Sequence, residues 1–257
     1  MFDLKQYRGK EVEHVRVESI LDLLPDDAGE VLEAGCRDGY ITLKLADRYK
    51  KITALDLHMP LIDHPRVTCV RGDITSLPFT DRSFDLVVCT EVLEHIMPEK
   101  LQAACSELMR VCRRYLLIGV PYRQDLRVHA TRCVHCGKEN PTTGHVNSFD
   151  EERLFSLFGN MPFHQADYPG RGVYRTNRWS YGIYKRYGFP YGSYQQEEPC
   201  VFCGNRLEKP RPGVAARLIC LFAKGLEFIQ NKTGPCKSPV WIHVLWDITG
   251  QDSLKYQ

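Results

Sequence analysis

Four apolar stretches in the first half of the chain each end in an acidic side chain. The stretches are residues 31–34, 51–57, 67–73 and 83–91, and the acids at their ends are Glu33, Asp56, Asp73 and Glu91. They alternate with helix-like segments, a pattern typical of parallel strands joined by helical crossovers. Since ligands of an open α/β sheet bind beyond the carboxyl ends of its strands, we expect these carboxylates to lie in one site.

A glycine-bearing turn follows the first of these strands, with the sequence EAGCRDG over residues 33–39. Gly35 permits a tight turn and Gly39 permits close packing of the helix that follows, as in loops that bind nucleotide-type cofactors. Arg37 stands where such loops usually carry another glycine. We expect its backbone to turn as glycine would, with its side chain at the rim of the site.

The acidic residues distinguish between cofactors. A dinucleotide carries a pyrophosphate, which binds bare backbone N–H groups and is disfavoured beside a carboxylate. S-adenosylmethionine has no phosphate; it carries a sulfonium, an α-amino group, a ribose and an adenine. Glu33 therefore favours S-adenosylmethionine over NAD, and Asp56 has the position of a carboxylate that accepts the ribose hydroxyls.

Four motifs occur in order along this half of the chain: residues 31–39, Asp56, residues 72–79 and residues 84–96, the last of which contains the sequence EVLEH. Together they resemble class I S-adenosylmethionine-dependent methyltransferases, most closely the broad small-molecule group with an EVLEH fourth motif. The resemblance covers about residues 10–121 well and the remainder loosely. It implies a Rossmann-like methyltransferase fold and this cofactor.

The resemblance also implies how the first two strand ends contact the cofactor. Glu33 and Gly35 would line its methionine part, and Gly39 would complete the turn. Asp56 would bind the ribose hydroxyls, with Leu57 against the adenine.

The next two strand ends have implied roles as well. Asp73 and Ile74 would hold the edge and the face of the adenine, while Thr90 and Glu91 would flank the transferring methyl group. Arg37 departs from the family pattern. It is expected at the methionine end, pointing to solvent or over the methionine carboxylate.

Two CxxC pairs share the pattern C-V-x-C-G: Cys133 with Cys136, and Cys200 with Cys203. Zinc takes four ligands in a tetrahedron, and each pair offers two thiolates from one tight turn. The 63 residues between Cys136 and Cys200 far exceed the spacing of an ordinary zinc ribbon, so the fold must bring the pairs together. We predict a structural zinc ion; a redox CxxC or two unrelated surface pairs are the alternatives.

Methyl transfer to a hydroxyl requires removal of a proton, so a histidine base is expected. The candidates are His95, His129, His135 and His145. We favour His145, in a GHxxxF-like segment ahead of a helix, as base or substrate ligand, and we also keep His95. His135 lies between the zinc cysteines and is expected to be sterically occupied.

Residues 171–194 interleave basic and aromatic side chains. Such a pattern can bind RNA through phosphate contacts and base stacking. It can also bind a phosphorylated sugar or nucleotide-linked substrate, or the aromatic residues can simply pack this segment. The sequence leaves all three interpretations open.

The elements that position these residues predict an α/β protein. We expect a doubly wound, Rossmann-like seven-stranded sheet, mostly parallel with an antiparallel last strand, and residues 163–173 and 240–248 as its closing hairpin. Residues 1–257 are expected to form a single methyltransferase domain, with zinc-linked insertions at 122–145 and 174–213 on the substrate side. A helix over residues 148–158 is expected to begin with a capping box formed by Ser148 and Glu151.

Composition narrows the class of protein. A net charge of +2 over 257 residues does not indicate DNA or an acidic membrane as partner. The polar N-terminus and the lack of a long apolar run predict a cytoplasmic protein with no membrane partner. We therefore expect methyl transfer to a small molecule, such as a sugar-derived or natural-product precursor; an RNA methyltransferase and a non-catalytic cofactor-binding partner protein are the alternatives.

Overall fold

Strands and helices alternate through the first half of the chain, as the apolar periodicity predicts. The computed structural model describes residues 8–128, 130–172, 174–194, 199–233 and 238–249. In chain order the first elements are α1 (Glu11–Leu23), β1 (Glu30–Ala34), α2 (Tyr40–Arg48), β2 (Lys51–Asp56), β3 (Val67–Arg71), β4 (Phe84–Thr90), α3 (Pro98–Val111) and β5 (Cys112–Pro121). A 3-10 turn, Leu93–His95, follows β4.

The second half has shorter elements and less regularity. They are β6 (Thr131–Arg132), β7 (Glu139–Asn140), α4 (Glu151–Leu157), β8 (Gln165–Asp167), α5 (Arg178–Arg186), α6 (Val214–Thr233) and β9 (Trp241–Asp247). β6 and β7 form a small antiparallel hairpin of their own. β8 and β9 return to the main sheet.

The main sheet has seven strands in the order β3-β2-β1-β4-β5-β9-β8. The first five strands pair in parallel, whereas β9 runs antiparallel to both β5 and β8. This confirms the predicted seven-stranded sheet with an antiparallel last strand. The order reverses at β1, and that is where an open α/β sheet forms its binding crevice.

Apolar side chains cover both faces of the central strands. On one face Leu32, Val87 and Leu116 pack with α3 and α4. On the other face Val31 and Val88 pack with α1 and α2. Burial on both faces explains why these strands appear in the sequence as continuous apolar runs. It also makes the strand ends rigid supports for the side chains beyond them.

Two local features differ from the sequence interpretation. The helix at 151–157 is capped by Asp150, whose carboxylate accepts the Arg153 N–H at 3.0 Å, so the predicted Ser148 capping box is wrong. Asp150 is favoured because it directly precedes the first helical residue. The helix α5 was not predicted from the pattern of residues 171–194. Asn177 caps it, because its side-chain oxygen accepts hydrogen bonds from the N–H groups of Trp179 and Ser180.

One face of α6 presents large apolar side chains to the surface. Leu218, Phe222 and Ile229 are exposed, whereas Cys220 and Ala223 are buried, on the side that packs against α5. Among the described residues, no helix is both long enough and apolar enough to cross a membrane. The single-domain organisation over residues 1–257, with insertions at 122–145 and 174–213, stays a prediction.

Candidate cofactor and active site

The four predicted acidic residues lie at one edge of the sheet. Glu33 and Asp56 end the neighbouring strands β1 and β2, Asp73 follows β3, and Glu91 follows β4. Because these four strands are adjacent and parallel, their carboxyl ends open into the same crevice. The structure therefore brings together the side chains that the sequence pattern placed at strand ends.

The loop after β1 turns through the left-handed region at three positions. Gly35 has φ +87° and its N–H donates to the Leu55 carbonyl at 2.7 Å; Gly39 has φ +79°. Arg37 has φ +49°, so its backbone turns as glycine would, as predicted. Its N–H donates to the Asp56 carboxylate at 2.8 Å, which fixes this loop against the end of β2.

Gly35 is needed for a second reason. A Cβ atom at this position would overlap the side chain of Val92, directly after β4. The loop after β1 and the chain after β4 therefore approach too closely for any other residue. This contact places the glycine loop beside the EVLEH segment.

Glu33 is almost fully buried beneath this loop. The Thr42 hydroxyl of α2 donates to its carboxylate. Burial raises the pKa of Glu33 to about 7, and the Thr42 hydrogen bond and the Arg16 charge oppose this rise only in part. A buried carboxyl of this kind is suited to a cationic ligand, because a nearby positive charge would favour its ionised form.

The predicted adenine side combines an acid with apolar surface. Asp73 accepts the N–H of Thr75 at 2.9 Å and its hydroxyl at 2.8 Å, and these bonds lower the pKa of Asp73. Ile74 is buried, whereas 59% of the Leu57 surface is exposed. The exposed Leu57 side chain is free to pack against a flat ring.

The end of β4 is held by the last strand of the chain. Glu91 has φ +57°, and its carboxylate accepts the Trp241 indole N–H at 3.1 Å. Burial raises the pKa of Glu91 to about 6. Thr90 is buried beside it, and a Cβ atom on Gly119 would meet both Thr90 and His243. The predicted methyl-transfer position is thus enclosed by β4, β5 and β9.

Residues of α1 and β9 that were not predicted as site residues complete this enclosure. His243 is fully buried, and its Nδ1 lies 2.7 Å from the Ser19 hydroxyl. Arg16 forms a buried ion pair with Glu13 on the same helix. A histidine inside the apolar run VWIHVLWD could have indicated a buried polar contact. Its partner could not be identified from the sequence, because Ser19 is far from His243 along the chain.

Orphaned polar atoms concentrate at this edge. Within the described residues, five buried side-chain nitrogen or oxygen atoms have no hydrogen-bond partner, and four of them belong to Glu91, Glu94 and His243. Buried polar atoms normally find partners. Their concentration beyond the strand ends marks this crevice as the candidate site.

The two predicted catalytic histidines contact each other. The rings of His95 and His145 are 4.7 Å apart, edge to face. Desolvation, with the nearby Arg37 charge, lowers the pKa of His95 to about 4, and desolvation lowers the pKa of His145 to about 3. Both imidazoles are therefore neutral at pH 7. His135 is exposed within the first CxxC turn, and His129 lies outside the described residues.

The four predicted zinc ligands converge, despite their separation in sequence. The Sγ atoms of Cys133 and Cys203 are 3.6 Å apart, those of Cys136 and Cys200 are 3.7 Å apart, and all four lie within 4.8 Å of one another. A tetrahedral zinc ion with bonds of about 2.3 Å would place its sulfurs roughly 3.8 Å apart. The arrangement therefore fits the donor set and spacing of a structural zinc ion.

The two CxxC turns share one hydrogen-bond pattern. Cys133 N–H donates to the carbonyl of Lys138 and Cys200 N–H to that of Asn205, at 3.0 and 2.8 Å. The glycine after each pair has nearly the same conformation, with φ +70° at Gly137 and +71° at Gly204. Equal turns on both sides of the cluster are more consistent with one shared ligand than with two unrelated cysteine pairs.

Most tyrosines of residues 171–194 donate hydrogen bonds from their hydroxyl groups to other residues of the protein. The hydroxyls of Tyr174 and Tyr184 donate to the buried Glu227, and that of Tyr181 donates to Glu139. Tyr191 donates to the carbonyl of Arg217. These contacts support the packing interpretation of residues 171–194 for the tyrosines, while Trp179 stays exposed.

Comparisons with known proteins agree with this geometry. The family profile described as "Methyltransferase domain" matches residues 32–116. A Mycolicibacterium smegmatis protein described as a probable S-adenosylmethionine-dependent methyltransferase is 35% identical over 101 residues, which are 37% of this chain and 38% of that protein. A malonyl-[acyl-carrier protein] O-methyltransferase from Serratia marcescens is 33% identical over 102 residues, 37% of this chain and 39% of that one.

A solved structure shares the fold along most of the chain. It is a complex between the Haloferax volcanii Trm112 methyltransferase activator and a methyltransferase, with a TM-score of 0.52, 12% identity and coverage of 93% of this chain and 91% of the other. These two curated relatives are matched over less than two fifths of their own length. The segment matched by the family profile runs from within β1 to within β5 and includes the acidic strand ends. Residues 32–116 thus match a methyltransferase domain and are similar in sequence to S-adenosylmethionine-dependent methyltransferases.

Proposed function

We propose that the protein transfers a methyl group from S-adenosylmethionine to a small-molecule acceptor. The observation that carries this proposal is the buried Glu33 carboxyl under a left-handed glycine loop, in line with three further acids on adjacent strand ends. This donor set suits a cofactor with a cationic amino acid end, and it disfavours a pyrophosphate. When bound, the cofactor supplies an electrophilic methyl group on its sulfonium.

The chain's own residues have distinct tasks in this proposal. Glu33 holds the α-amino group and Asp56 the ribose hydroxyls. Leu57 packs against the adenine ring, while Asp73 contacts its edge. Arg37 covers the methionine end, because its backbone lies in the loop and its charge acts on His95.

The adenine face and the turn complete the cofactor contacts. Ile74 lies beneath the ring, and Gly35 and Gly39 allow the close turn that brings backbone groups to the cofactor. Thr90 and Glu91 flank the methyl group at the end of β4. On the acceptor side lie His95 and His145, both neutral at pH 7, as groups that bind or orient the acceptor.

The character of the acceptor side favours a small molecule over RNA. Glu91 and Glu94 contribute buried carboxyl groups there, which suit a small polar acceptor held inside the crevice. The hydroxyls of Tyr174, Tyr181 and Tyr184 form internal hydrogen bonds, which supports a packing role for these tyrosines. The S. marcescens relative is named for O-methylation of malonyl-[acyl-carrier protein], an acceptor that is not RNA.

We further propose that Cys133, Cys136, Cys200 and Cys203 bind a structural zinc ion. Four thiolates close the coordination sphere and leave no open position for chemistry. The ion would join the segment after β5 to the segment before α6. Leu207 and Tyr194 pack against the buried Cys133 and Cys200, while Cys203 lies on the exposed side of the cluster.

Labelled methyl groups test the choice of acceptor. Purified protein would be incubated with methyl-labelled S-adenosylmethionine and either the small-molecule filtrate or the RNA of a cell extract. We expect label in the filtrate only, resistant to ribonuclease, and strongly reduced with Asp56→Asn at a cofactor concentration below saturation. Label in RNA would support the RNA alternative, and no label despite cofactor binding would support the non-catalytic one.

A further inference from the structure

Three side chains on the acceptor side form a cluster with the composition of a metal site. Each of Glu94, His95 and His145 offers a ligand atom, and these atoms all lie within 4.8 Å of one another. The cluster contains no cysteine and is separate from the four-cysteine site. It combines two imidazoles with one carboxylate, a ligand set that proteins use for divalent metals with open coordination positions.

The Glu94 carboxylate is an independent sign of a missing ligand. Glu94 is fully buried, and neither of its carboxylate oxygens has a hydrogen-bond partner among the described residues. A buried carboxylate with no partner is costly. A bound cation would satisfy both oxygens, which no side chain around it does.

His145 is held as metal-binding histidines usually are. Its Nδ1 lies 2.7 Å from the Gln124 side-chain oxygen, so a metal ion would bind through Nε2. Metal-binding histidines typically have this second contact, which fixes the ring and its tautomer. The His95 ring packs against the His145 ring, with ring centroids 4.7 Å apart.

Hydrogen bonds to the backbone join the turn that carries Glu94 and His95 to the loop that carries His145. The N–H groups of Val146 and Asn147 donate to the Glu94 carbonyl at 2.8 and 3.2 Å. The Asn147 amide donates to the carbonyls of Leu93 and Ile96, and Arg153 donates to its oxygen. The loop that carries His145 is therefore fixed to the turn that carries Glu94 and His95, so the ligand atoms are preorganised.

We propose that Glu94, His95 and His145 bind one divalent first-row transition-metal ion that keeps open positions toward the acceptor. His95 reaches the protein surface, which gives the ion and the acceptor a route in. The site is different in kind from the four-cysteine site, where all four positions are filled by protein.

The metal site deepens the proposed function, on which this step rests: it assigns the acceptor atom as oxygen. A metal lowers the pKa of a bound hydroxyl and so favours the alkoxide at neutral pH. The acceptor O–H gives its proton to solvent, and the oxygen forms a bond to the methyl carbon. The carbon–sulfur bond breaks with its electron pair retained by sulfur, which leaves the sulfonium as a neutral thioether.

Cobalt(II) is the probe that distinguishes the two metal sites. The full chain, first loaded with zinc to fill the four-cysteine site, would be titrated with Co²⁺ and followed by visible absorption. We expect one Co²⁺ per chain with weak bands and no thiolate charge-transfer absorption. Glu94→Gln and His145→Ala should weaken binding at least tenfold, and Gln124→Ala roughly tenfold.

His14→Ala is the matched control, because His14 is an exposed histidine of α1 that takes no part in the cluster. It should bind Co²⁺ as the unchanged protein does. No Co²⁺ binding, thiolate bands, or full binding by His145→Ala would overturn the metal site. S-adenosylhomocysteine binding by the same samples shows folding and tests the proposed function separately: cofactor binding without Co²⁺ binding refutes only the metal site.

Discussion

In the proposed function, Glu33 is the residue that most strongly determines which cofactor binds. Its position at the end of β1 was evident from the sequence, but its burial and its contact with Thr42 were not. Burial holds a proton on this carboxyl to about pH 7. The same residue therefore destabilises the empty protein and prepares it for a cationic ligand, a combination expected of a binding residue and not of a structural one.

Replacing Glu33 with glutamine should change the pH dependence of stability. In the folded protein Glu33 keeps its proton to about pH 7, whereas in the unfolded chain it ionises near 4.5. Between these values the native state binds more protons, so stability without cofactor falls as pH rises, by roughly 3 kcal/mol. Urea unfolding at pH 5 and pH 8 should show that Glu33→Gln lacks this fall in unfolding free energy. At pH 8 the variant should be more stable than the unchanged protein.

The exposed Glu18→Gln of α1 is the control, and its pH dependence should match that of the unchanged protein. If Glu33→Gln also lost stability from pH 5 to pH 8 to the full extent, burial of Glu33 would not be the cause.

Single residues were predictable where their role is local. The left-handed backbone of Arg37 followed from its place in a glycine turn, and the structure gives φ +49°. The contact between His243 and Ser19 was not predictable, because these residues lie 224 positions apart and meet only through the sheet. The cluster of Glu94 and His95 with His145 is hidden for the same reason.

At the scale of elements, the CxxC turns show what a repeated local pattern can and cannot predict. The shared C-V-x-C-G pattern indicated two equal turns, and their hydrogen bonds and glycine conformations are the same. The two cysteine pairs, 63 residues apart in sequence, are brought together by long-range contacts. In one of them, the Val201 N–H donates to the side-chain oxygen of Asn140 at 2.9 Å. Those contacts have no local signal.

Loss of one cysteine ligand should release the zinc ion. Cys136→Ser is expected to lower bound zinc well below one per chain and to lower the thermal midpoint by several degrees, because zinc binding contributes to folding free energy. Metal analysis and thermal unfolding measure both effects. Cys69→Ser is the control, since Cys69 is also half-buried but lies on β3. Equal zinc content and equal midpoints in the two variants would argue against the site.

The regular elements were predicted better than the irregular ones. Buried parallel strands leave a strong apolar signal, so β1 to β5 were located from the sequence within a few residues. α5 was missed because its helical residues are aromatic and basic with a glycine inside, and its stability comes from Asn177 and from packing on α6. Tertiary contacts, and not the intrinsic helix propensity of its residues, therefore determine that this segment is helical.

At the scale of the whole molecule, the sheet places two kinds of chemistry at one edge. In the proposed function, the ends of strands β1 to β4 supply the cofactor contacts. The chain that follows β5 supplies His145 and the cysteine turns, and it returns through β9 to place Trp241 against Glu91. The proposed function requires both parts, since the first would bind the cofactor and the second would bind the acceptor.

Cofactor binding tests the central claim most directly. Calorimetric titration with S-adenosylhomocysteine should show one molecule bound per chain, with binding weakened roughly tenfold to a hundredfold by Asp56→Asn, which removes a charged acceptor of hydrogen bonds. The exposed Asp63→Asn should bind normally, and NAD should give no binding heat. Absence of S-adenosylhomocysteine binding, or binding of NAD that Asp56→Asn abolishes, would contradict the proposed function.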